Sequence, residues 1–412
     1  MQHFKKLKVM MNGAEVGSIV SGERGSIHFQ YADSFLLHGF NISPFSLHFN
    51  NRVQSAESRV FGGLFGVFND SLPDGWGLLL MDRALKEQFG WEPHEITPLD
   101  RLAYIGNKAM GALEYLPEIN AGETSNDFNL AEMAKSAFLV TEGESLDVIH
   151  QLRIHGGSPG GARPKVTVAM SQDLITCKSG FDEIPKGFSH WIVKFRSKED
   201  ALEAGLAEQA YSEMARIAGG LIMPDTTVLK IPENQELSNY FSVKRFDRIN
   251  NAKIHMVSLG GLAEASHRVP CMDYDGLLDI VSAITKNFSD VEMAFRLMVF
   301  NIMTHNKDDH VKNFAFIYAE NSWRLSPSFD LTFSAGMNNE HTTAINGRGN
   351  PLMTDLEALA KNHSIKRWRS IVDEVRESAL KWPLIATEVG VSDSIIARYE
   401  KEFSLIRQRL SV

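Results

Sequence analysis

Polar and apolar residues alternate near the start of the chain and fall into helical spacings farther along. Residues 8–11 and 14–19 flank Asn12-Gly13, two residues that tolerate positive φ, and this predicts a β-hairpin. A helical stretch follows from about 77 to 89. Ahead of it lies Phe68-Asn69-Asp70-Ser71-Leu72-Pro73-Asp74-Gly75-Trp76-Gly77, rich in turn formers. It reads as a structural loop in which Asp74 caps the helix. The polar run 118–127 reads as a linker.

Beyond the linker, residues 166–170, 191–195, 226–230 and 240–244 have strand patterning. Residues 201–218 read as a helix ending at Gly219-Gly220. From Leu259 onward the pattern is mostly helical: 274–285, 290–304, 353–361, 365–380 and 392–410. The expected fold is α+β, with a small mixed N-terminal domain (1–118), a β-containing lobe (128–250) and a helical lobe (251–412). That order matches a two-lobed protein-kinase-like core, although order alone says little about function.

The stretch 290–304 is apolar around much of its circumference and therefore reads as buried. It leads into Asp308-Asp309-His310-Val311-Lys312-Asn313, a polar loop that must surface in a cleft or at an edge. Asp308 and Asn313 have the D-x-x-x-x-N spacing of a kinase catalytic loop. There the Asp orients the attacking hydroxyl and the Asn binds a metal ion. Residues 314–318 and 323–326 predict a second hairpin, and an antiparallel hairpin brings its open ends together. Asn313 and Asp330 then reach one edge, each with a metal-binding side chain. Asp330, in Ser326-Pro327-Ser328-Phe329-Asp330, takes the role of the D-F-G aspartate without that motif's glycine or order. The same residue types also suit a hydrolase metal site made of Asp308, Asp309, His310 and Asp330. The departure from D-F-G leaves a non-catalytic, nucleotide-binding pseudokinase open as well.

Phosphoryl transfer needs positioned metal ligands, a cation on the phosphates and a covering loop more than it needs covalent chemistry. Lys194 is the one lysine of the apolar strand His190-Trp191-Ile192-Val193-Lys194-Phe195, which has the look of a V-A-I-K strand. Glu208, on the following helix, is placed to pair with it. The stretch His155-Gly156-Gly157-Ser158-Pro159-Gly160-Gly161-Ala162-Arg163-Pro164-Lys165 is the most glycine-rich. Glycines let backbone amides approach phosphates. It is not a Walker A loop, because Ala162 stands where lysine belongs. Residues 240–248 fall where a hinge would hold adenine through backbone groups.

Composition narrows the class. A formal net charge of −9 argues against a broad nucleic-acid-binding face, which needs a cationic footprint. Two cysteines, Cys177 and Cys271, in no metal-type spacing suit a reducing compartment. The chain opens without the apolar stretch of a signal peptide, and no apolar run reaches the ~18 residues of a membrane span. A cytoplasmic location without membrane contact is expected.

Together these motifs resemble the HipA family of serine/threonine kinase toxins of bacterial toxin–antitoxin systems. The resemblance runs from about Lys8 to about Trp382. It rests on Gly66-Val67-Phe68-Asn69-Asp70-Ser71-Leu72-Pro73-Asp74-Gly75-Trp76-Gly77, Gly160-Gly161-Ala162-Arg163-Pro164-Lys165, Val243-Lys244-Arg245-Phe246-Asp247-Arg248, the loop Asp308 to Phe314, and Leu325-Ser326-Pro327-Ser328-Phe329-Asp330. It implies Asp308 as catalytic aspartate, with Asn313 and Asp330 holding magnesium. Lys194 would contact the ATP phosphates, and Lys244 and Phe246 would offer backbone groups to adenine. Gly160, Gly161, Lys165, Asp247, His310 and Lys312 join the ATP-binding stretches, and Ser158 falls at the family's autophosphorylated serine. The implied partners are a protein substrate of the aminoacyl-tRNA synthetase class and a helix-turn-helix antitoxin that binds operator DNA.

Overall fold

A computed structural model describes residues 3–119, 129–141, 152, 160–180, 183–197, 200–233 and 236–411. Ser158 and most of the expected linker lie outside the described residues. The chain forms two compact units. One comprises Met1–Leu202, Leu229–Val257 and Gly261–Glu264, the other Glu203–Val228, Ser258–Gly260 and Ala265–Val412. The first carries two five-stranded sheets and a two-stranded one and the second is mainly helical, in keeping with the expected α+β fold class.

In the first unit, β1 (Lys6–Met11) and β2 (Ala14–Ser21) make the expected hairpin, with Asn12 and Gly13 at φ +47° and +83°. The first sheet runs β4-β3-β2-β1-β5, with β3 at Ile27–Tyr31, β4 at Gln54–Ser55 and β5 at Leu113–Leu116. Along β1 the alternate residues Leu7, Val9 and Met11 are buried, so a period of two sets the inner face. Helix α1 (Gly75–Phe89) begins two residues earlier than the pattern suggested. Helix α2 (Pro98–Ile105) was not read from the sequence, although Thr97 and Asp100 close a capping box at its start. Helix α3 follows at Leu130–Thr141.

The second sheet has the order β7-β6-β8-β10-β9, from β6 (Lys165–Ser171), β7 (Cys177–Ser179), β8 (Phe188–Lys194), β9 (Thr226–Glu233) and β10 (Glu236–Lys244). Every residue of β6 up to Met170 is buried, as expected of a strand covered on both faces. Trp76 and Leu80 of α1 share one apolar core with Val166, Val168, Trp191 and Val193. The N-terminal segment and the β-rich segment are thus joined by common packing.

Two buried histidines make this unit acid-sensitive. Burial, helped by the nearby Arg245 and Arg248 charges, lowers His190 to about 4. Burial likewise lowers His255 to about 4, with its Nε2 at 2.9 Å from the Ile42 carbonyl. Both are neutral in the fold. Below the ordinary histidine value of about 6.5 the unfolded chain takes up protons that the folded chain refuses until about pH 4, so stability falls across that window. Melting temperature should drop from pH 7 to pH 5, and His255→Gln should flatten the drop. An identical slope in the variant would contradict this account.

The second unit contains α4 (Ala204–Arg216), α5 (Tyr274–Thr285), α6 (Phe288–Met303), α7 (Met353–Asn362), α8 (Trp368–Leu380), α9 (Trp382–Val389) and α10 (Asp393–Leu410). Helix α6 is buried nearly all round, as its composition required. Even Arg296 is enclosed, donating to Glu374 and to the Ala218 carbonyl. At its C-terminal end Tyr211 donates to the Thr304 carbonyl at 2.6 Å. Tyr211 in turn packs against Trp382, Tyr399 and Phe403, so the point where α6 hands over to the next loop is fixed. The hairpin of β11 (Ala315–Ala319) and β12 (Ser322–Leu325) lies within a residue of its expected bounds. Its register ends at Ala319 opposite Ser322, leaving Glu320 and Asn321 at φ +51° and +58°. Among the described residues no helix is long and apolar enough to cross a membrane.

Candidate functional site

The loop after α6 turns sharply at His305, φ +56°, and is then anchored residue by residue. Asn306 donates its side-chain amide to Asn301 at 2.9 Å. Lys307 is 2% exposed, and its ammonium donates to the Asn339 carbonyl and side chain at 2.7 and 2.8 Å. Burial, with the Arg409 charge nearby, lowers its pKa.

Asp308 and Asp309 then part company. Asp308 is exposed, whereas Asp309 is 1% exposed. The Asp309 carboxylate accepts from Tyr274 Oη and His341 Nδ1, both at 2.9 Å, and from the Thr342 and Thr343 amides at 2.9 and 3.3 Å. Its own carbonyl accepts from the Thr343 hydroxyl. A buried carboxylate with this many donors is satisfied and immobile. Asp309 therefore fixes the backbone that presents Asp308. This corrects the hydrolase grouping of Asp308, Asp309, His310 and Asp330. Asp309 is turned inward, and among the described residues no three His, Cys, Asp or Glu side chains are grouped to hold a metal.

Asp308 lies in an open cavity of about 450 Å³, with His267, Arg268, Val269, Met337 and Thr342 among its walls. Gly336, at φ +63°, is needed on that wall because a Cβ there would stand 2.8 Å from the Lys307 Cβ. His310 accepts from the Lys312 amide at 3.2 Å and caps the short turn Val311–Asn313. Asn313 donates its side-chain NH₂ to the Asp308 carbonyl at 2.7 Å, so the two ends of the loop are tied together. Asn313 stands two residues before β11 and Asp330 five residues after β12, in the two segments that continue from the hairpin's open end. Asp330 adopts φ +53°, a left-handed conformation that aspartate tolerates better than most non-glycine residues.

In the first unit the strand register joins two candidates read separately. Lys165 of β6 lies directly opposite Lys194 of β8. Residues opposite each other project from the same face, and like charges there repel. An anion between them would relieve the repulsion. Lys165 is 5% exposed, and its ammonium donates to the Gly160 carbonyl. The Lys194 ammonium lies 5.3 Å from the Phe241 ring centroid. Gly161 donates its amide to the Asp74 carboxylate. This corrects the reading of Asp74 as a cap: it stands at the N-cap position of α1 with no side-chain capping bond.

At the end of β10, Lys244 and Phe246 are partly buried, and the Arg245 amide between them donates to the His190 carbonyl at 2.8 Å. The Asp247 side chain is fully buried. It accepts from Arg245 Nε and Nη2 at 2.9 and 2.6 Å, from Arg248 Nη1 at 2.8 Å and from the Gly111 amide at 2.7 Å. Burial would raise its pKa, but the two guanidiniums outweigh it and hold the carboxyl far below the usual range. Its carboxylate is a structural centre, not a group turned toward a nucleotide. Glu208, in α4, is 5% exposed within the second unit.

The N-terminal and C-terminal parts match known family models. The HipA N-terminal domain covers residues 7–116 and the HipA-like C-terminal domain residues 157–382. Two proteins of Sinorhizobium fredii are similar in sequence. Putative kinase Y4mE is 23% identical over 351 residues, 79% of this chain and 76% of that protein. Putative kinase Y4dM is 27% identical over 172 residues, 38% of this chain and 40% of that protein. HipA from Shewanella oneidensis MR-1, solved with HipB and its operator DNA, shares the fold with a TM-score of 0.72. It is 16% identical, with 98% of this chain and 97% of that chain covered. With the C-terminal model spanning more than half its length and the N-terminal model most of the remainder, this chain belongs to the HipA family.

Proposed function

We propose that the chain is an ATP- and magnesium-dependent serine/threonine protein kinase and the toxin of a toxin–antitoxin pair. The observation that carries this reading is the exposed Asp308, held by a buried Asp309, with Asn313 and Asp330 in the two segments that continue from the open end of one hairpin. Asp308 is the group that accepts the proton of the attacking hydroxyl in the adjoining cavity. Asn313 and Asp330 offer hard oxygen donors, few in number, which suits an ion that keeps several of its waters. Magnesium, when bound, neutralises charge on the transferring phosphate. Lys165 and Lys194, opposite each other across β6 and β8, are the cations for the phosphates. Lys244 and Phe246 offer backbone groups to adenine. Ser158 is the self-modified serine, and phosphate there adds up to two negative charges within the glycine-rich stretch. The acceptor is a protein of the aminoacyl-tRNA synthetase class, and neutralisation comes from a helix-turn-helix antitoxin that binds operator DNA.

Incubation with γ-labelled ATP and magnesium should label the protein on serine, with peptide mapping to Ser158. EDTA should abolish labelling and excess magnesium should restore it. Nucleotide binding with no transfer to itself or to any lysate protein would instead make this a pseudokinase. Release of phosphate from phosphoesters without ATP would make it a hydrolase.

A further inference from the structure

Asp74 belongs to the region matched by the N-terminal family model, and Gly160, Gly161 and Lys165 to the region matched by the C-terminal one. The two regions meet here within one compact unit. Asp74 is 9% exposed and stands immediately before α1, where an aspartate normally accepts from the amides of the first turn. Its side chain makes no such bond and instead accepts the amide of Gly161. Two residues on, the Trp76 amide donates to the Gly161 carbonyl at 3.4 Å. Between them, Gly75 has φ +46°, and a Cβ there would stand 2.7 Å from the Ala162 Cα. A Cβ on Gly160 would meet the Asp74 carboxylate at 3.1 Å. Three consecutive residues thus clasp the chain at Gly161-Ala162, and Gly75 is required for the close approach.

The clasp bears on the phosphate site through the strand that begins just beyond it. Four residues after Gly161, Lys165 begins β6 opposite Lys194, with its ammonium on the Gly160 carbonyl. Glycine segments lose the most conformational freedom on ordering, so a loop that must be ordered by the ligand binds it more weakly than one already held.

We propose that Asp74 is a positioning residue for the nucleotide site: by accepting the Gly161 amide it pre-orders the end of the glycine-rich loop that leads into Lys165. The proposal rests on the reading of Lys165, Lys194 and this loop as the ATP phosphate site. It makes the N-terminal domain a working part of that site. Asp74 touches neither substrate nor the reacting phosphate, so it acts on nucleotide affinity and not on the chemical step.

The test compares wild type, Asp74→Ala and Asp74→Asn in the full-length protein. Calorimetric titration with a non-hydrolysable ATP analogue and magnesium gives affinity and the binding-competent fraction separately. Asp74→Ala should weaken binding about tenfold, the scale of losing one hydrogen bond to a charged acceptor. KM for ATP should rise in parallel, with kcat within about twofold. Asp74→Asn keeps an oxygen acceptor and should stay close to wild type. Hydrogen exchange at the Gly161 amide should be slow in wild type and Asp74→Asn and fast in Asp74→Ala. Unchanged affinity in Asp74→Ala, a fall in kcat alone, or equal losses in both variants would overturn the proposal. Wild type that binds no nucleotide, with Gly161 still protected, would overturn the phosphate-site reading itself and with it this role for Asp74.

Discussion

Asp308→Asn should lower phosphoryl transfer by roughly 10²- to 10⁴-fold, the usual contribution of a positioned acid–base group. Asparagine keeps the size and the hydrogen-bonding reach of the side chain and removes its basicity. The loss should therefore appear in kcat, with the affinity for ATP little changed. Stability should hardly move. Asp308 is exposed, and the loop is anchored through other atoms: the Asp308 carbonyl, bound by Asn313, and the Asp309 carboxylate. Asp309→Asn offers the contrast. It replaces the acceptor of four donors in a closed pocket, so it should lower both melting temperature and activity. The decisive measurement is single-turnover transfer from labelled ATP by protein shown to be folded. Asp308→Asn with more than about a tenth of wild-type activity would remove Asp308 from the chemistry, given the magnitude expected of such a group.

That contrast also marks where the sequence stops being informative. Asp308 and Asp309 are adjacent and identical in type, and spacing to Asn313 picks out the first only by analogy with a known loop. What separates them physically is His341, Thr342 and Thr343, 32 to 34 residues away, which enclose the Asp309 carboxylate while Asp308 stays exposed. No periodicity along the chain reports such a contact. The hairpin was legible because its determinants are local: alternating strands and a turn at Glu320-Asn321 that accepts positive φ. The buried helix before the loop was legible for the same reason, since its composition alone requires enclosure. Asp74 was misread because an aspartate before a helix usually caps it, and the competing donor, Gly161, lies 87 residues farther on. The stretch 240–248 read as a hinge that holds adenine through backbone groups, a reading that says nothing of its charges. Its charges turn inward and meet a loop of the N-terminal region about 136 residues distant. A sequence pattern registers that residues are charged, not which of them neutralise one another.

Asp247→Ala should strongly destabilise the first unit, costing about 3–5 kcal/mol. The side chains of Arg245 and Arg248 are 2% and 6% exposed, and both use Asp247 as their carboxylate. Alanine would leave two guanidiniums buried beside each other with backbone carbonyls as acceptors, those of Ala109, Gly111 and residue 247 itself. Their mutual repulsion already contributes to Arg248, which burial and the Arg245 charge bring down to about 10. At roughly 2–4 °C per kcal/mol for a unit of 150–250 residues, the melting temperature should fall by about 6–20 °C. The wild-type interaction also has a defined acid limit. A carboxyl held far below its ordinary value contributes stability above the usual carboxylate range and loses it as the pH falls toward its folded value. Asp247→Asn should recover part of the loss, because the amide oxygen still accepts one guanidinium bond without carrying charge. The same network holds the Gly111 loop to the residues just after β10, so the variant should also weaken nucleotide binding if Lys244 and Phe246 present backbone to adenine. A melting temperature within about 2 °C of wild type, less than 1 kcal/mol on that scale, would show that the charges relax to solvent and that the cluster is not what ties the two segments together.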